Sequence, residues 1–429
     1  MKFFSTKNKT NVASFREAVL SSLPGDSGLY FPIEIPKLEE GFLSTLEEKT
    51  LQEVAFEVLN SFCQDDVPKE KLKAIVNDAL NFDIPLVQVE EHISCLELFH
   101  GPTMAFKDVG ARFLARIMSF FKETDDHETT ILVATSGDTG GAVASGFHNQ
   151  PGINVVILYP SGKVSPLQER QMTTLGGNIQ ALEIDGNFDD CQALVKQAFL
   201  DSDLNDLVNL SSANSINIAR WLPQSIYYYL PYMKSGFEKR LVFSIPSGNY
   251  GNITSGILAK RMGLPIHRFI AASNSNDVVP RYLKNGDYNP IDTIPTISNA
   301  MDVSVPSNFT RLQMLFDETY QAIIEDVEGF SLDDNETRMA MRTCFEENRY
   351  VLDPHSAIGY KAIQNSLKDD EEGIFLGTAH HCKFLDIVNA ALDENISLPR
   401  ATDPLFETKK KSQKMAKDFK FFKDFLASR

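Results

Sequence analysis

Lys107 stands where a loop gives way to a helical period, in His100-Gly-Pro-Thr-Met-Ala-Phe-Lys-Asp-Val-Gly-Ala-Arg112. At a helix start the peptide dipoles disfavour an ammonium, and the neighbouring Met104 and Phe106 add desolvation. Both effects lower the amine toward a usable nucleophile, which is what a lysine that forms a Schiff base requires. The plainer alternative is a solvated first-turn lysine paired with Asp108. A second constellation, Ser244-Ile-Pro-Ser-Gly-Asn-Tyr-Gly-Asn252, joins a β-rich run to a helical period. Its glycines let backbone N–H groups approach an anion, and the helix start adds positive potential, so Ser247, Gly248, Asn249, Tyr250, Gly251 and Asn252 read as a phosphate cradle. The stretch is neither a Walker A motif nor the dinucleotide G-x-G-x-x-G fingerprint. Alone, it is equally a tight connection.

A third turn, Ala134-Thr-Ser-Gly-Asp-Thr-Gly-Gly141, offers the hydroxyls of Thr135, Ser136 and Thr139 beside exposed amides, a set suited to a carboxylate. Between the two turns, Asn214-Ser-Ile-Asn-Ile-Ala-Arg220 sets a guanidinium six residues from an Asn-Ser pair. Asn214, Ser215 and Arg220 are suitable donors for a phosphate dianion, the alternative being a capped helix whose arginine faces solvent. His355, in Asp353-Pro-His-Ser356, reads equally as a site residue or as a loop hydrogen-bonder. His380, His381 and Cys382 are adjacent potential ligands, but adjacent residues chelate one ion poorly and no second cluster has metal spacing, so no metal is expected.

The elements that must hold these residues follow an α/β pattern. From Thr130 on, short β-rich runs end in Gly/Ser turns and pass into helical periods: Ile131 to Ala134 into Thr139 to Phe147, Asn154 to Tyr159 into Pro166 to Leu175, and Leu241 to Ile245 into Ile253 to Met262. That alternation predicts parallel sheets. Helices are also expected over Leu51 to Cys63 and Lys69 to Leu80. The lysine-rich C-terminal stretch, with Phe419, Phe422 and Leu426 at helical spacing, predicts a helix docked on the body with lysines outward.

With 429 residues the chain exceeds a single ordinary core, and 43% hydrophobic and 23% charged residues mark a folded, soluble protein. A net charge of −17 repels nucleic acid and anionic lipid, so an anionic ligand needs local donors. Five scattered cysteines without a C-x-x-C pair speak for a reducing compartment, and no apolar run is long enough to span a bilayer. A cytoplasmic location is expected.

Taken in order, Phe106-Lys-Asp108, Thr135 to Gly140, Ser165 to Asn178, Phe188 to Lys196, Asn214 to Arg220, Ser247 to Asn252, Met301-Asp-Val303, Pro306 to Phe309, Asp353 to Ser356 and Thr378-Ala-His380 resemble the threonine synthases of the bacterial and fungal type. The match runs across nearly the whole chain. The resemblance implies the α/β fold type II of pyridoxal-phosphate (PLP) enzymes, like the tryptophan synthase β-subunit, with two parallel-sheet domains and an N-terminal domain. The expected boundaries are 1–85 for the N-terminal domain, 86–125 with 225–400 for the large PLP-binding domain, 126–224 for a small domain and 401–429 for the C-terminal helix. The implied reaction turns O-phosphohomoserine and water into threonine and phosphate, in a monomer. Lys107 is implied as the Schiff-base lysine and proton shuttle, Ser247 to Asn252 as the cofactor-phosphate cradle, and Thr378 as the partner of the pyridine nitrogen. Thr135, Ser136, Asp138 and Thr139 are implied at the substrate carboxylate, with Asn214, Ser215 and Arg220 at its phosphate. Asp138 also stands where relatives of this fold carry an asparagine touching the cofactor's O3′. The family usually reads Thr-Ala-His-Pro where this chain has Thr378-Ala-His-His381 and then Cys382, and a Gly-Asn pair where it has Ser304-Val305. A PLP-dependent serine or threonine dehydratase, a phospholyase and a non-catalytic PLP-binding paralogue are the alternatives.

Overall fold

Three sheets carry the fold in the computed structural model, which describes residues 1–123, 127–234 and 239–428. The expected boundary between residues 125 and 126, and the terminal Arg429, lie outside the described residues. The N-terminal sheet is antiparallel, with Lys2–Ser5 between Asn8–Ser14 and Tyr30–Pro32. Behind it come the helices Leu51–Cys63 and Lys69–Ala79, as the periodicity predicts. The first opens on a capping box in which Thr50 and Glu53 satisfy each other's backbone N–H groups.

A six-stranded sheet runs in the order Val327–Ser331, Arg268–Ser273, Arg240–Pro246, Glu371–Gly377, Ile93–Glu97, Leu86–Glu90. It is parallel except for its last edge strand, which pairs antiparallel with Ile93–Glu97. A five-stranded, wholly parallel sheet runs Ser412–Ala416, Ile179–Asp185, Ile153–Pro160, Thr129–Ala134, Leu210–Ser212. Consecutive residues Ile131, Leu132 and Val133 are all fully buried, as required of strands covered by helices on both faces. The turns singled out in the sequence leave the carboxyl ends of these strands, where ligands of open α/β sheets collect: 135–137 after Thr129–Ala134, 247–250 after Arg240–Pro246, and Thr378 after Glu371–Gly377.

The C-terminal stretch departs from expectation. It is not helix alone: after a short helix, Asp403–Glu407, the strand Ser412–Ala416 adds to the edge of the five-stranded sheet, and only then does the helix Phe419–Ala427 bury Phe422 and Leu426. Its lysines are not all turned to solvent, since Lys410 Nζ sits 2.5 Å from Glu169 and 2.9 Å from Glu183. The strand is five residues long and its pairing partner is remote in sequence, so local periodicity carries no trace of it. Among the described residues no helix is long and apolar enough to cross a membrane, and all five cysteines are free and buried.

Candidate active site

Lys107 is the first residue of the helix Lys107–Lys122, which opens with no side-chain cap. Its Nζ lies 4.9 Å from the centre of the Phe106 ring and 3.4 Å from Asp138 Oδ2. Burial holds this amine below the ordinary lysine value. Asp138 opposes that shift, while the charges of Lys383 and Arg220 add to it. The alternative pairing with Asp108 does not form: Asp108 accepts instead from the backbone N–H (2.8 Å) and hydroxyl (2.5 Å) of Thr103.

Asp138 is the most heavily engaged carboxylate of the site. Its Oδ1 accepts from Gln168 Nε2 at 2.8 Å and lies 2.7 Å from Lys383 Nζ, leaving Oδ2 to Lys107. Burial alone would raise its pKa, but Lys383 and then Lys107 outweigh burial and hold the carboxyl far below the usual range. Lys383 also donates to Thr103 O at 2.8 Å. The turn itself is drawn tight by Thr135 Oγ1, which accepts from the N–H groups of Gly137 and Gly140 at 2.9 Å each. Gly137 has φ +143°, and a Cβ there would stand 2.5 Å from the Gln168 amide. Sequence reading missed both Gln168 and Lys383. For Gln168 a signal existed: three residues after Ser165 it completes a capping box, accepting from Ser165 N with Oε1, which leaves its Nε2 free to donate onward.

Across the cavity, the helix Gly251–Arg261 starts from Tyr250 in the left-handed region (φ +61°) and has no side-chain cap. Its first amides and the Nδ2 of Asn252, buried with no partner, are donors without an acceptor, while Asn252 Oδ1 accepts from Tyr228 at 2.9 Å. Asn249 Nδ2 donates to Ser215 Oγ at 2.6 Å, tying this turn to the 214–220 segment. Arg220 is buried rather than facing solvent. It donates to Ala213 O, its Nε has no partner, and among the described residues it forms no ion pair. Burial pushes its pKa down to about 10, so it stays charged near neutral pH. Arg311, also missed, packs under this corner: its guanidinium lies 4.5 Å from the Trp221 ring centre and donates to Ser215 O (3.1 Å), Ile216 O (2.9 Å), Asn308 Oδ1 (2.8 Å) and Tyr30 O (3.0 Å). The N-terminal sheet is thereby bonded to the floor of the site.

One cavity of about 530 Å³ is lined by Lys107, Thr135, Ser136, Asp138, Thr139, Asn214, Ser215, Arg220, Ser247 through Asn252 and Thr378 together. His355 fulfils both of its readings. It borders the cavity, and its Nε2 accepts from Ala300 N (3.2 Å) while Nδ1 meets Asp353 (2.8 Å). His380 instead packs on Phe99, outside the cavity lining. The donor chemistry suits a flat phosphate ester with an aldehyde. An uncapped helix start and an orphaned amide offer donors to an anion, a Cβ on Gly248 would fall 2.5 Å from Met301 Cα, and a buried amine and the Thr378 side chain border the same space.

Known proteins agree with that chemistry. Residues 85–376 match the family described as Pyridoxal-phosphate dependent enzyme, 2–80 match Threonine synthase N terminus, and 356–426 match Threonine synthase, C-terminal. A threonine synthase of Serratia marcescens is 45% identical over 403 residues, covering 94% of this chain and 93% of that protein. The crystal structure of threonine synthase from Escherichia coli aligns at TM-score 0.93 and 43% identity over 100% of both chains. That of PLP-bound threonine synthase from Brucella melitensis aligns at TM-score 0.94 and 36% identity, over 100% of this chain and 99% of that one. With family matches along the chain and full-length likeness to these enzymes, the chain belongs to the threonine synthase family of PLP-dependent enzymes.

Proposed function

We propose that this chain converts O-phosphohomoserine and water into threonine and phosphate, with Lys107 as the residue that holds the cofactor and moves the protons. The observation that carries the reading is the presence, in one cavity, of a buried amine and two separate groups of anion donors, the uncapped helix start at Tyr250 to Asn252 and the unpaired Arg220 with Ser215. Two donor groups suit a phosphorylated substrate on a phosphorylated cofactor, and a dehydratase has no use for the second.

Pyridoxal phosphate, when bound, supplies an aldehyde that bonds to amines and a conjugated ring that takes up the electrons left as a proton leaves carbon. The chain's residues do the rest. Ser247 to Asn252 would hold the cofactor phosphate by backbone donors, and the neutral Thr378 hydroxyl would serve the pyridine nitrogen. Thr135, Ser136 and Thr139 hold the substrate carboxylate, while Asp138, gripped by Lys383 and Gln168, borders the ring side of that turn. Lys107, its pKa lowered by burial, takes the Cα proton and then a Cβ proton as phosphate leaves Cγ; the hydroxyl of water adds at Cβ while its proton goes to the released phosphate, and protons return to Cγ and Cα. Asn214, Ser215 and Arg220 hold the substrate phosphate. Because charge grows on that group as it leaves from Cγ, Arg220 stabilises the transition state more than the bound substrate.

The segment 126–224 acts as a small lobe closing on the body formed by 86–125 and 225–400, with 1–85 behind it and 401–429 clasping the small lobe, which excludes water other than the reacting molecule. The five free, buried cysteines and the charge of −17 support work in the cytoplasm, as a monomer, on a small anionic substrate and away from nucleic acid. Borohydride reduction of the purified protein followed by peptide mapping is expected to label Lys107, and a label on another lysine overturns the assignment. Given O-phosphohomoserine, the protein should release threonine and phosphate one for one. Ketoacid in place of threonine would mark a dehydratase or phospholyase, and no product at all a paralogue that only binds.

A further inference from the structure

We infer that Lys383 is a positioning residue for the reaction: by holding Asp138 across the boundary between the two parallel sheets, it withdraws that carboxylate from Lys107 and leaves the Lys107 amine free of its proton. The inference rests on the reading of Lys107 as the cofactor lysine. Asp138 begins the helix that follows the strand Thr129–Ala134 of one sheet, and Lys383 lies in the 3₁₀ turn His381–Phe384 that follows the strand Glu371–Gly377 of the other. Nothing in the expected roles of the site uses Lys383, and the cavity lining does not include it. Yet its side chain is completely buried, an expensive place for a lysine without a task.

Two amines share one acid in this corner, and their geometries differ. Lys383 approaches Asp138 Oδ1 to 2.7 Å, on the oxygen that also accepts from Gln168, and is fixed by a second bond to Thr103 O. Lys107 has only the 3.4 Å contact to Oδ2 and otherwise faces the Phe106 ring. The shorter, doubly anchored pair keeps the charge, because burying two ammoniums against a single carboxylate would leave a net charge out of water. The other groups around Lys107 do not substitute for Asp138. Asp108, on its own helix, is taken by Thr103; Arg220 is a cation; Tyr227 donates its hydroxyl to Phe106 O; and His355 is taken by Asp353. With Lys383 gone, Asp138 would have Lys107 as its only cation, and the amine would hold its proton to higher pH.

The test follows the full chain, stripped of cofactor, as it recombines with pyridoxal phosphate across a pH series, with the rate read from visible absorbance and the attachment point from borohydride reduction and peptide mapping. Wild-type protein gives the midpoint below which recombination slows. Lys383→Met is expected to move that midpoint up by about one pH unit or more, so that loading below it slows roughly tenfold, and to move the acid limb of kcat/KM the same way. Lys383→Arg keeps the cation and should stay near the wild-type midpoint, whereas Asp138→Asn removes the shared acid and should lower it. An unmoved midpoint in Lys383→Met overturns the inference, as does an equal shift in Lys383→Arg, which would report packing instead of charge. If Lys383→Met fails to fold, Lys383→Gln, which keeps a polar group without the charge, takes its place: a raised midpoint upholds the inference and an unmoved one overturns it. A label found on a lysine other than Lys107 would sink the underlying assignment, which keeps the two failures apart.

Discussion

Gly248 and Gly137 occupy matching places in two turns that border the same cavity, yet the space beside each is filled differently. A Cβ on Gly248 would meet backbone, the Cα of Met301 at 2.5 Å, and Met301 is held there by neighbours that cannot yield cheaply. Asp302, next in sequence, accepts from Asn274 Nδ2 (2.8 Å), Thr296 Oγ1 (2.7 Å) and Thr296 N (3.0 Å). A Cβ on Gly137 would meet a side chain, the Gln168 amide, itself part of the Gln168–Asp138–Lys383 network. The first turn is moulded by main chain and carries no ionised side chain; the second is braced by side chains and carries a charge. The contrast matches the two tasks proposed above for these turns: a cofactor phosphate that stays bound through every turnover suits a fixed mould, while a substrate that enters, changes and leaves suits a contact that can adjust.

The sharpest way to break this comparison is to add the same methyl to both turns. Gly248→Ala should weaken cofactor binding by at least about a hundredfold, measured by absorbance titration, since the cradle or the Met301 segment must shift by a sizeable fraction of an ångström or more. Gly137→Ala also strains a backbone at positive φ, but Gln168 can swing aside, so cofactor affinity should change far less than turnover. Equal losses of cofactor affinity in the two variants would end the distinction between mould and brace. Next in size, on the proposed role of Arg220 at the leaving phosphate, Arg220→Ala should lower kcat by about a hundredfold to a thousandfold, beyond any change in KM, since its Nε has no partner within the protein. A raised KM with kcat unchanged would confine Arg220 to binding.

What the sequence disclosed follows the same division. Turns whose chemistry is local were legible: Ser247 to Asn252 and Thr135 to Thr139 announce themselves by glycines and hydroxyls between a β-run and a helical period, and the helix that Lys107 opens could be placed from its neighbours. The braces were not. Lys383 and Arg311 act on residues remote in the chain, Asp138 for the first and Tyr30 and Ser215 for the second, and a lone lysine after His380-His381-Cys382, or an arginine in an ordinary helix, carries no spacing that says so. Gln168 stood in a recognised stretch without a role because its local duty, the capping box with Ser165, already accounted for it. The strand Ser412–Ala416 was hidden for the reason Lys383 was, a partner remote in sequence.

Gln168→Ala probes the brace from its other side. It removes one of the two donors on Asp138 Oδ1 and one half of the capping box, but leaves Lys383 in place. A hydrogen bond to a charged group contributes about 1.5–3 kcal/mol, so kcat/KM should fall by about tenfold to a hundredfold while cofactor affinity stays within about twofold. A loss of cofactor equal to that in Gly248→Ala would show the two turns to be one mechanical unit.

The smallest effect belongs to the tail that backs this brace. Lys410 bridges Glu169, on the helix that carries Gln168, and Glu183, on the neighbouring strand, while Lys411 N donates to Thr173 O (2.7 Å) and Arg170 to Thr408 O (2.8 Å). Lys410 is about one-third exposed, so its pairing is screened and contributes no more than about 1 kcal/mol. Lys410→Ala should therefore lower Tm by only about 1–2 °C in a chain of this size, and less in high salt. The hydroxyl of Ser161 first, and then Lys410, hold the Glu183 carboxyl below its ordinary value. Its contribution is thus present above the ordinary glutamate pKa and is lost as pH falls through the lowered one, so the wild-type advantage should shrink in that acid window. Since the remaining tail bonds still hold the helix that bears Gln168, kcat/KM should change by less than about twofold. A drop as large as that of Gln168→Ala would mean that the tail, and not the capping box, keeps the Gln168 amide aimed at Asp138.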